Sequence, residues 1–237
     1  MNERKGYQHT DLDHLTHLKA LSWLSAAELR LLVGALALAN FKRSAVILHE
    51  AALAAEAHIL LTGIARITCM NAHRERVTVA LLAPGLIPGL PAMKISRSDF
   101  KCEAYNDCRV GSLARDKFDA ITVQSNESAF KHLRENDLQQ WYRLFLRSSS
   151  FLNLGLHERI AATLLELCAD FGVDESRGTL LRVPFSHKDI GNLVGATRPR
   201  VTEHLARLEK ERFVIRQGRQ MVVDVARLQQ SLGQTTS

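Results

Sequence analysis

Between Leu12 and Leu38 apolar residues recur at three- and four-residue intervals, the repeat of one helical face, so the stretch is predicted to be helical. Ser25 followed three residues later by Glu28 is a capping-box pattern and marks the start of its second half. Asp13 is placed to cap a first, shorter helix. From Ala45 to Leu113 the repeat shortens. β-rich runs appear at Ala45–His49, His58–Leu61, Ile64–Met70, Glu75–Leu82, Lys101–Ala104 and Cys108–Leu113. Turn dipeptides and tripeptides separate them, at Thr62-Gly63, Asn71-Ala72-His73, Pro84-Gly85 and Asn106-Asp107. Short strands at this spacing predict an all-β barrel or jelly-roll.

From Arg115 onward helical spacing returns. Ser128 to Ser148 contains no Gly or Pro and carries Phe130, Leu133, Leu138, Trp141, Leu144 and Phe145 as an aromatic-rich stripe. At 1.5 Å per residue this is a helix of about 30 Å. Such a stripe packs either on the chain's own barrel or on the same helix of a second chain. Ser148 to Gly155 reads as a hinge or linker. Glu158 to Phe171 is then a helix with Ile160, Leu164, Leu165 and Leu167 inward, ending at Gly172.

Pro184 to Val225 is the most informative segment. Ser186, three residues before Asp189, caps a short helix, Lys188 to Val194. Gly195 follows where a sharp turn requires positive φ. Thr197 is placed to cap a second helix, Arg198 to Lys210, with Pro199 in the first turn, where a missing N–H costs little. Val201, Leu205 and Leu208 form its inward stripe. Arg198, Arg200, Thr202, Glu203 and Arg207 are left facing outward. Phe213–Ile215 and Met221–Val223 read as strands joined by a tight turn at Gln217–Gln220. Helix, turn, helix and hairpin make a winged helix-turn-helix, with Arg216 and Arg219 expected at the wing tip, placed to neutralise phosphates.

Composition adds modest support. The chain has 237 residues, 46% of them hydrophobic, which is enough for one large or two modest packed domains. The net charge is +6 and the pI about 9.3. The charge is also well placed. From Arg198 to Arg219 lie seven Lys or Arg residues against the three acids Glu203, Glu209 and Glu211. This is the segment whose pattern suggests DNA contact. No run approaches the roughly 20 apolar residues of a membrane span. Met1 to Thr10 lacks the apolar core of a signal peptide, so a cytoplasmic location is expected. The four cysteines, Cys69, Cys102, Cys108 and Cys168, match no metal-site spacing and read as buried free thiols, with a Cys102–Cys108 redox pair as the alternative. His14 and His17 share a helix face without further ligands nearby, so no metal site is expected.

The stretch from Phe185 to Leu205, Phe-Ser-His-Lys-Asp-Ile-Gly-Asn-Leu-Val-Gly-Ala-Thr-Arg-Pro-Arg-Val-Thr-Glu-His-Leu, resembles the DNA-binding motif of bacterial cyclic-AMP receptor protein/FNR (CRP/FNR) regulators. Ala45 to Leu113, with Leu61-Thr62-Gly63 and Ala83-Pro84-Gly85, resembles that family's cyclic-nucleotide-binding β-roll. Phe130 to Ser150 falls where the family has its dimerisation helix, and Arg159 to Leu165 resembles the first helix after its hinge. The resemblance implies an α+β chain in three parts. A sensor β-roll with N-terminal helices spans residues 1–126, a dimerisation helix 127–150, and a winged helix-turn-helix 151–237. It also implies a homodimer on a palindromic operator in double-stranded DNA, with RNA polymerase as a further partner and no membrane association. The expected dimer contacts are Phe130, Leu133, Leu138, Trp141 and Phe145. The expected DNA contacts are Ser186, His187 and Lys188 on the first helix and Thr197, Arg198, Arg200, Thr202, Glu203 and Arg207 on the second. The wing adds Arg216, Gly218 and Arg219.

Two departures from the family pattern matter. The corresponding effector pocket is Gly89, Leu90, Pro91, Ala92, Arg97 and Ser98. Leu90 stands where cyclic-AMP binders carry the Glu that accepts from the ribose hydroxyl. Cyclic AMP is therefore not the expected effector, and another nucleotide, a lipid-like ligand or none remain open. In the second helix, Pro199 and Glu203 stand where the family's best-known operator readers have Glu and Arg, so the usual operator sequence is not expected. The competing reading is a ligand-binding regulatory subunit acting through protein contacts, which has no need of a basic helix face. No catalytic motif is present, and Ser186, His187 and Asp189 are too close in sequence to form a triad, so no enzyme is expected.

Overall fold

In the computed structural model, residues 9–49, 56–71, 74–87, 101–122 and 127–235 are described. They fall into two compact units, residues 1–144 and 145–237.

The first unit begins with α1 (His9–Thr16), a single 3₁₀ turn (Lys19–Leu21) and α2 (Ala26–Ala35). The expected capping box opens α2. The Glu28 amide donates to Ser25 Oγ at 3.3 Å, and the Ser25 amide donates to Glu28 Oε2 at 2.6 Å. The predicted helix to Leu38 ends early. Leu36 is already extended, and Ala37–Phe41 is a strand, β1. Asp13 does not cap a helix. It lies inside α1, where its carbonyl accepts from the Thr16 hydroxyl. α1 starts earlier than its apolar pattern because its anchor is an ion pair. Asp11 is fully buried and takes both arms of Arg109, with Nη2 at 2.8 Å, and a two-pronged pair of this kind fixes the helix on the sheet.

Seven more strands follow: β2 (Val46–His49), β3 (Glu56–Thr62), β4 (Ala65–Met70), β5 (Arg76–Leu82), β6 (Gly85–Leu86), β7 (Lys101–Ala104) and β8 (Cys108–Ala114). They form two antiparallel four-stranded sheets, ordered β1-β8-β3-β6 and β2-β7-β4-β5. β3 is buried along Ala57–Leu61 without alternation because its sheet is covered on both faces. Ile59 and Leu61 pack with Leu15, Leu32 and Phe118 of the flanking helices, and Leu60 points the other way, to Ala65, Leu82 and Val110 between the sheets. Gly63 turns the chain at φ +90°, where an added Cβ would stand 2.4 Å from the Asp107 carbonyl oxygen. α3 (Arg115–Thr122) closes the roll by burying Phe118.

α4 (Glu127–Asn153) is the long helix, 27 residues, and the point dividing the two units falls within it. The serine run is not a linker. Ser149 and Ser150 donate their hydroxyls to the carbonyls of Leu146 and Arg147, so their polar groups are satisfied within the helix. The break comes at Gly155, which caps α5 (Leu156–Phe171). Arg147 pairs with Glu166, tying the end of α4 to α5.

The second unit continues with β9 (Gly172–Glu175), β10 (Gly178–Leu181), α6 (His187–Val194), α7 (Arg198–Lys210), β11 (Val214–Gln217), β12 (Gln220–Val223) and α8 (Val225–Thr235). The wing is broader than the predicted hairpin, an antiparallel sheet ordered β11-β12-β10-β9. Its core is built from Ile160, Leu164, Leu181, Ile190, Leu205 and Leu208, all fully buried. No helix of the described residues is long and apolar enough to cross a membrane.

Candidate nucleic-acid interface

Three elements of the second unit present polar side chains without apolar cover. α6 is held at its start by Ser186, whose Oγ accepts from the Asp189 amide at 3.2 Å while Asp189 Oδ2 accepts from the Ser186 amide at 2.9 Å. The helix stops at Gly195, φ +65° and ψ +41°, the left-handed conformation the sequence required. A side chain here would also collide, since an added Cβ lies 2.7 Å from Phe151 Cε1. The turn is completed by the Ala196 amide donating to the Gly191 carbonyl at 2.9 Å.

α7 starts at Arg198 with Thr197 in the N-cap position. Thr197 does not cap through its side chain. No side-chain cap bond forms, although its backbone is extended as a cap requires and its carbonyl accepts from the Val201 amide. Val201, Leu205 and Leu208 are fully buried. Arg198, Arg200, Thr202, Glu203 and Arg207 are exposed, as are Ser186 and Lys188 on α6. Arg198 and Arg200 stand in the first turn, with no acidic residue there to offset them. Cations at the positive end of a helix are electrostatically unfavourable, a cost that an incoming anion removes. Among the described residues, Lys188, Arg198, Arg200, Glu203 and Arg219 make no ion pair. Arg207 differs in being paired with Glu211 at 2.8 Å.

The wing turn is Gly218-Arg219, with Gly218 at φ +61° and both residues exposed. Gln220 Nε2 donates to the Arg182 carbonyl at 2.8 Å, pinning the turn to the chain just past β10. Arg216 is not at the tip. It lies within β11, opposite Met221, and its guanidinium donates to Glu209 Oε1 at 3.0 and 2.8 Å. Sequence reasoning missed Glu209. Nothing in its local pattern signals the pairing, which depends on how β11 folds back against α7.

His187 sits between these parts. Thr202 gives its hydroxyl proton to the Arg198 carbonyl at 2.9 Å, so the 2.7 Å contact between His187 Nδ1 and Thr202 Oγ1 requires Nδ1–H as donor. Nε2 then accepts from Arg216 Nη2 at 3.2 Å. Burial, reinforced by Arg216 and Arg198, lowers the His187 pKa below its ordinary value and favours this neutral form. The same contacts dispose of the serine–histidine–aspartate possibility, since His187 faces Thr202 and Arg216 while Ser186 faces Asp189.

The remaining sequence candidates are placed less fully. Gly89, Leu90, Pro91, Ala92, Arg97 and Ser98 lie outside the described residues. Phe130, Leu133 and Trp141 fall on α4, with their side chains outside the described set, whereas Leu138 and Phe145 are 58% and 68% exposed. Tyr142 and Leu152 of the same helix are exposed as well. All four cysteines are free thiols, with Cys69 half-buried and the other three buried. Burial pushes Cys102 and Cys168 up to about 12 and Cys108 to about 11, which suppresses thiolate chemistry. His17 Nδ1 contacts the Asp13 carbonyl at 2.6 Å. Among the described residues no group of three or more His, Cys, Asp or Glu side chains is placed to hold a metal.

A two-sheet β-roll, a long helix and a winged helix on which Lys188, Arg198, Arg200 and Arg219 stand exposed and unpaired fit a DNA-binding transcription regulator. Comparison with known proteins agrees. Residues 38–125 match the cyclic nucleotide-binding domain, and residues 158–231 match the Crp-like helix-turn-helix domain. The chain belongs to the CRP/FNR family of transcription regulators. It is similar to the global nitrogen regulator of Synechococcus elongatus, with 24% identity over 181 residues covering 74% of this chain and 80% of the relative. The global nitrogen regulator of a Nostoc species is 25% identical over 74% of this chain and 79% of its own length. Among solved structures, a CooA variant from Carboxydothermus hydrogenoformans shares the fold at a TM-score of 0.67 and 17% identity, covering 95% of this chain and 97% of that one. FixK2 from Bradyrhizobium japonicum does so at 0.63 and 22%, covering 82% and 96%.

Proposed function

We propose that the protein acts as a homodimer on a palindromic operator, reading base edges with α7 and gripping phosphates with α6 and the wing. The proposed parts are a sensor roll over residues 1–126, a dimerisation helix over 127–150 and a DNA-binding domain over 151–237. RNA polymerase is the further partner proposed, and the function is regulatory rather than enzymatic. The reading is supported above all by Arg198 and Arg200, both exposed and unpaired at the positive end of α7, together with the exposed, unpaired Lys188 on α6 and Arg219 in the wing turn. A subunit acting only through protein contacts gains nothing from that unfavourable charge. Any effector held in the roll is proposed to be other than cyclic AMP, because Leu90 cannot accept from a ribose hydroxyl.

Within this reading Glu203 and Arg219 do different work. Arg198 and Arg200 have the fork that fits guanine O6 and N7. Glu203, exposed and unpaired, is repelled by phosphates unless it accepts from a base, and cytosine N4 is the common donor. Glu203→Ala is expected to cost about 1–3 kcal/mol on the best site and to relax preference at one base pair per half-site. Arg219→Ala is expected to weaken all sequences alike and to lower the salt slope by about one unit. Binding-site selection with salt titration of both variants separates the two roles. An unchanged motif for Glu203→Ala would show that the acid reads no base.

A further inference from the structure

Glu209 is an acid on the element that the proposed function puts in the major groove, and its carboxylate is spent on a wing arginine. Through Arg216 it begins a chain of hydrogen bonds. Glu209 Oε1 takes two N–H groups of Arg216, Arg216 Nη2 donates to His187 Nε2, His187 Nδ1–H donates to Thr202, and Thr202 donates to the Arg198 carbonyl. The chain leaves α7 near its C-terminal end, crosses β11 and the start of α6, and returns to the first turn of α7. It therefore ties together the three elements that the proposed function brings to DNA.

We propose that Glu209 is a positioning residue for operator recognition, holding the wing strand and the start of α6 in fixed register with the recognition helix. This rests on the DNA-reading role given to α7 above. The electrostatics set the function apart from simple affinity. An acid near a phosphate backbone opposes binding, and it also occupies an arginine that could otherwise contact a phosphate. What the protein gains is geometry. Arg198, at the start of α7, is useful for base reading only when α7 sits at a fixed depth and rotation, and the network ends on its carbonyl. Neither group is deeply buried, the Arg216 and Glu209 side chains being 45% and 32% exposed, so a fold-stabilising role does not explain the arrangement.

The test uses the full chain and two duplexes, the operator obtained by selection and an unrelated sequence. In Glu209→Ala the freed Arg216 becomes available to phosphates. Affinity for the unrelated duplex is expected to hold or rise and the salt slope to steepen by about one unit. Affinity for the operator is expected to fall about tenfold as the register is lost. Glu209→Gln keeps an acceptor for Arg216 and is expected to restore most of the operator affinity and the parental slope. The urea midpoint should stay unchanged in both variants. A Glu209→Ala protein that keeps the parental ratio of operator to unrelated binding, or loses both affinities equally, overturns the proposal. A parent that itself prefers no sequence overturns the DNA-reading role first, and this inference with it.

Discussion

Replacing Leu138 and Phe145 together with serine is expected to yield monomers and to abolish tight operator binding. Both side chains lie on α4 seven residues apart, on the same helical face, and at 58% and 68% exposure neither is accounted for by packing within the chain. Tyr142 and Leu152 extend the same exposed apolar surface. A row of exposed aliphatic and aromatic groups along a helix gains free energy when a second apolar face covers it. The double substitution should leave the fold of each chain nearly untouched, because little burial is lost within the monomer. The effect on DNA should still be large. A dimer binds its second half-site at the high effective concentration set by its first, an advantage of about 10²–10⁴ in affinity that a monomer forfeits. Sedimentation velocity alongside gel shifts reads both consequences, and an unchanged dimer would remove α4 as the interface.

The second large effect concerns the apolar platform under α7. Leu205 is fully buried, at 0% exposure, in the stripe it forms with Val201 and Leu208. Leu205→Ala is expected to destabilise the winged domain by about 2–5 kcal/mol, the transfer cost of the lost atoms plus that of the cavity they leave. That is a large share of the roughly 5–15 kcal/mol that typically holds a domain together. Leu31 on α2 serves as the contrast. It is 63% exposed, and Leu31→Ala should change stability by no more than about 0.5 kcal/mol. Urea unfolding followed by circular dichroism measures both. A Leu205→Ala midpoint close to that of the parent would contradict the packing described for α7.

The sequence was most legible where a local signal had a local consequence. The strands from Ala45 to Leu113 were readable because β-branched runs alternate with Gly, Asn and Asp turns, and Lys101–Ala104 emerged with its predicted limits. The start of α2, the turn at Gly195 and the buried stripe of α7 followed from capping chemistry, a positive φ and a 3.6-residue period. Features that depend on distant partners were not legible. β1 follows α2 directly, within one apolar run from Leu29 to Phe41, and only its pairing with β8 makes it a strand. β9 carries Asp174 and Glu175, and both β9 and β10 open on a glycine; they become strands by extending the wing sheet through β12. At the site, the outward residues of α7 could be read from the helix alone. The diversion of Arg216 to Glu209, and the role of His187 between wing and helix, appear only when the hairpin folds back.

Whether α6, α7 and the wing read a DNA sequence is decided by selection from random duplexes with the 237-residue chain. The expected outcome is enrichment of an inverted repeat whose half-sites lie about one helical turn, roughly 34–36 Å, apart, bound with an affinity that falls steeply with salt. Binding that is independent of salt, or a pool that remains unselected after repeated rounds, would contradict it.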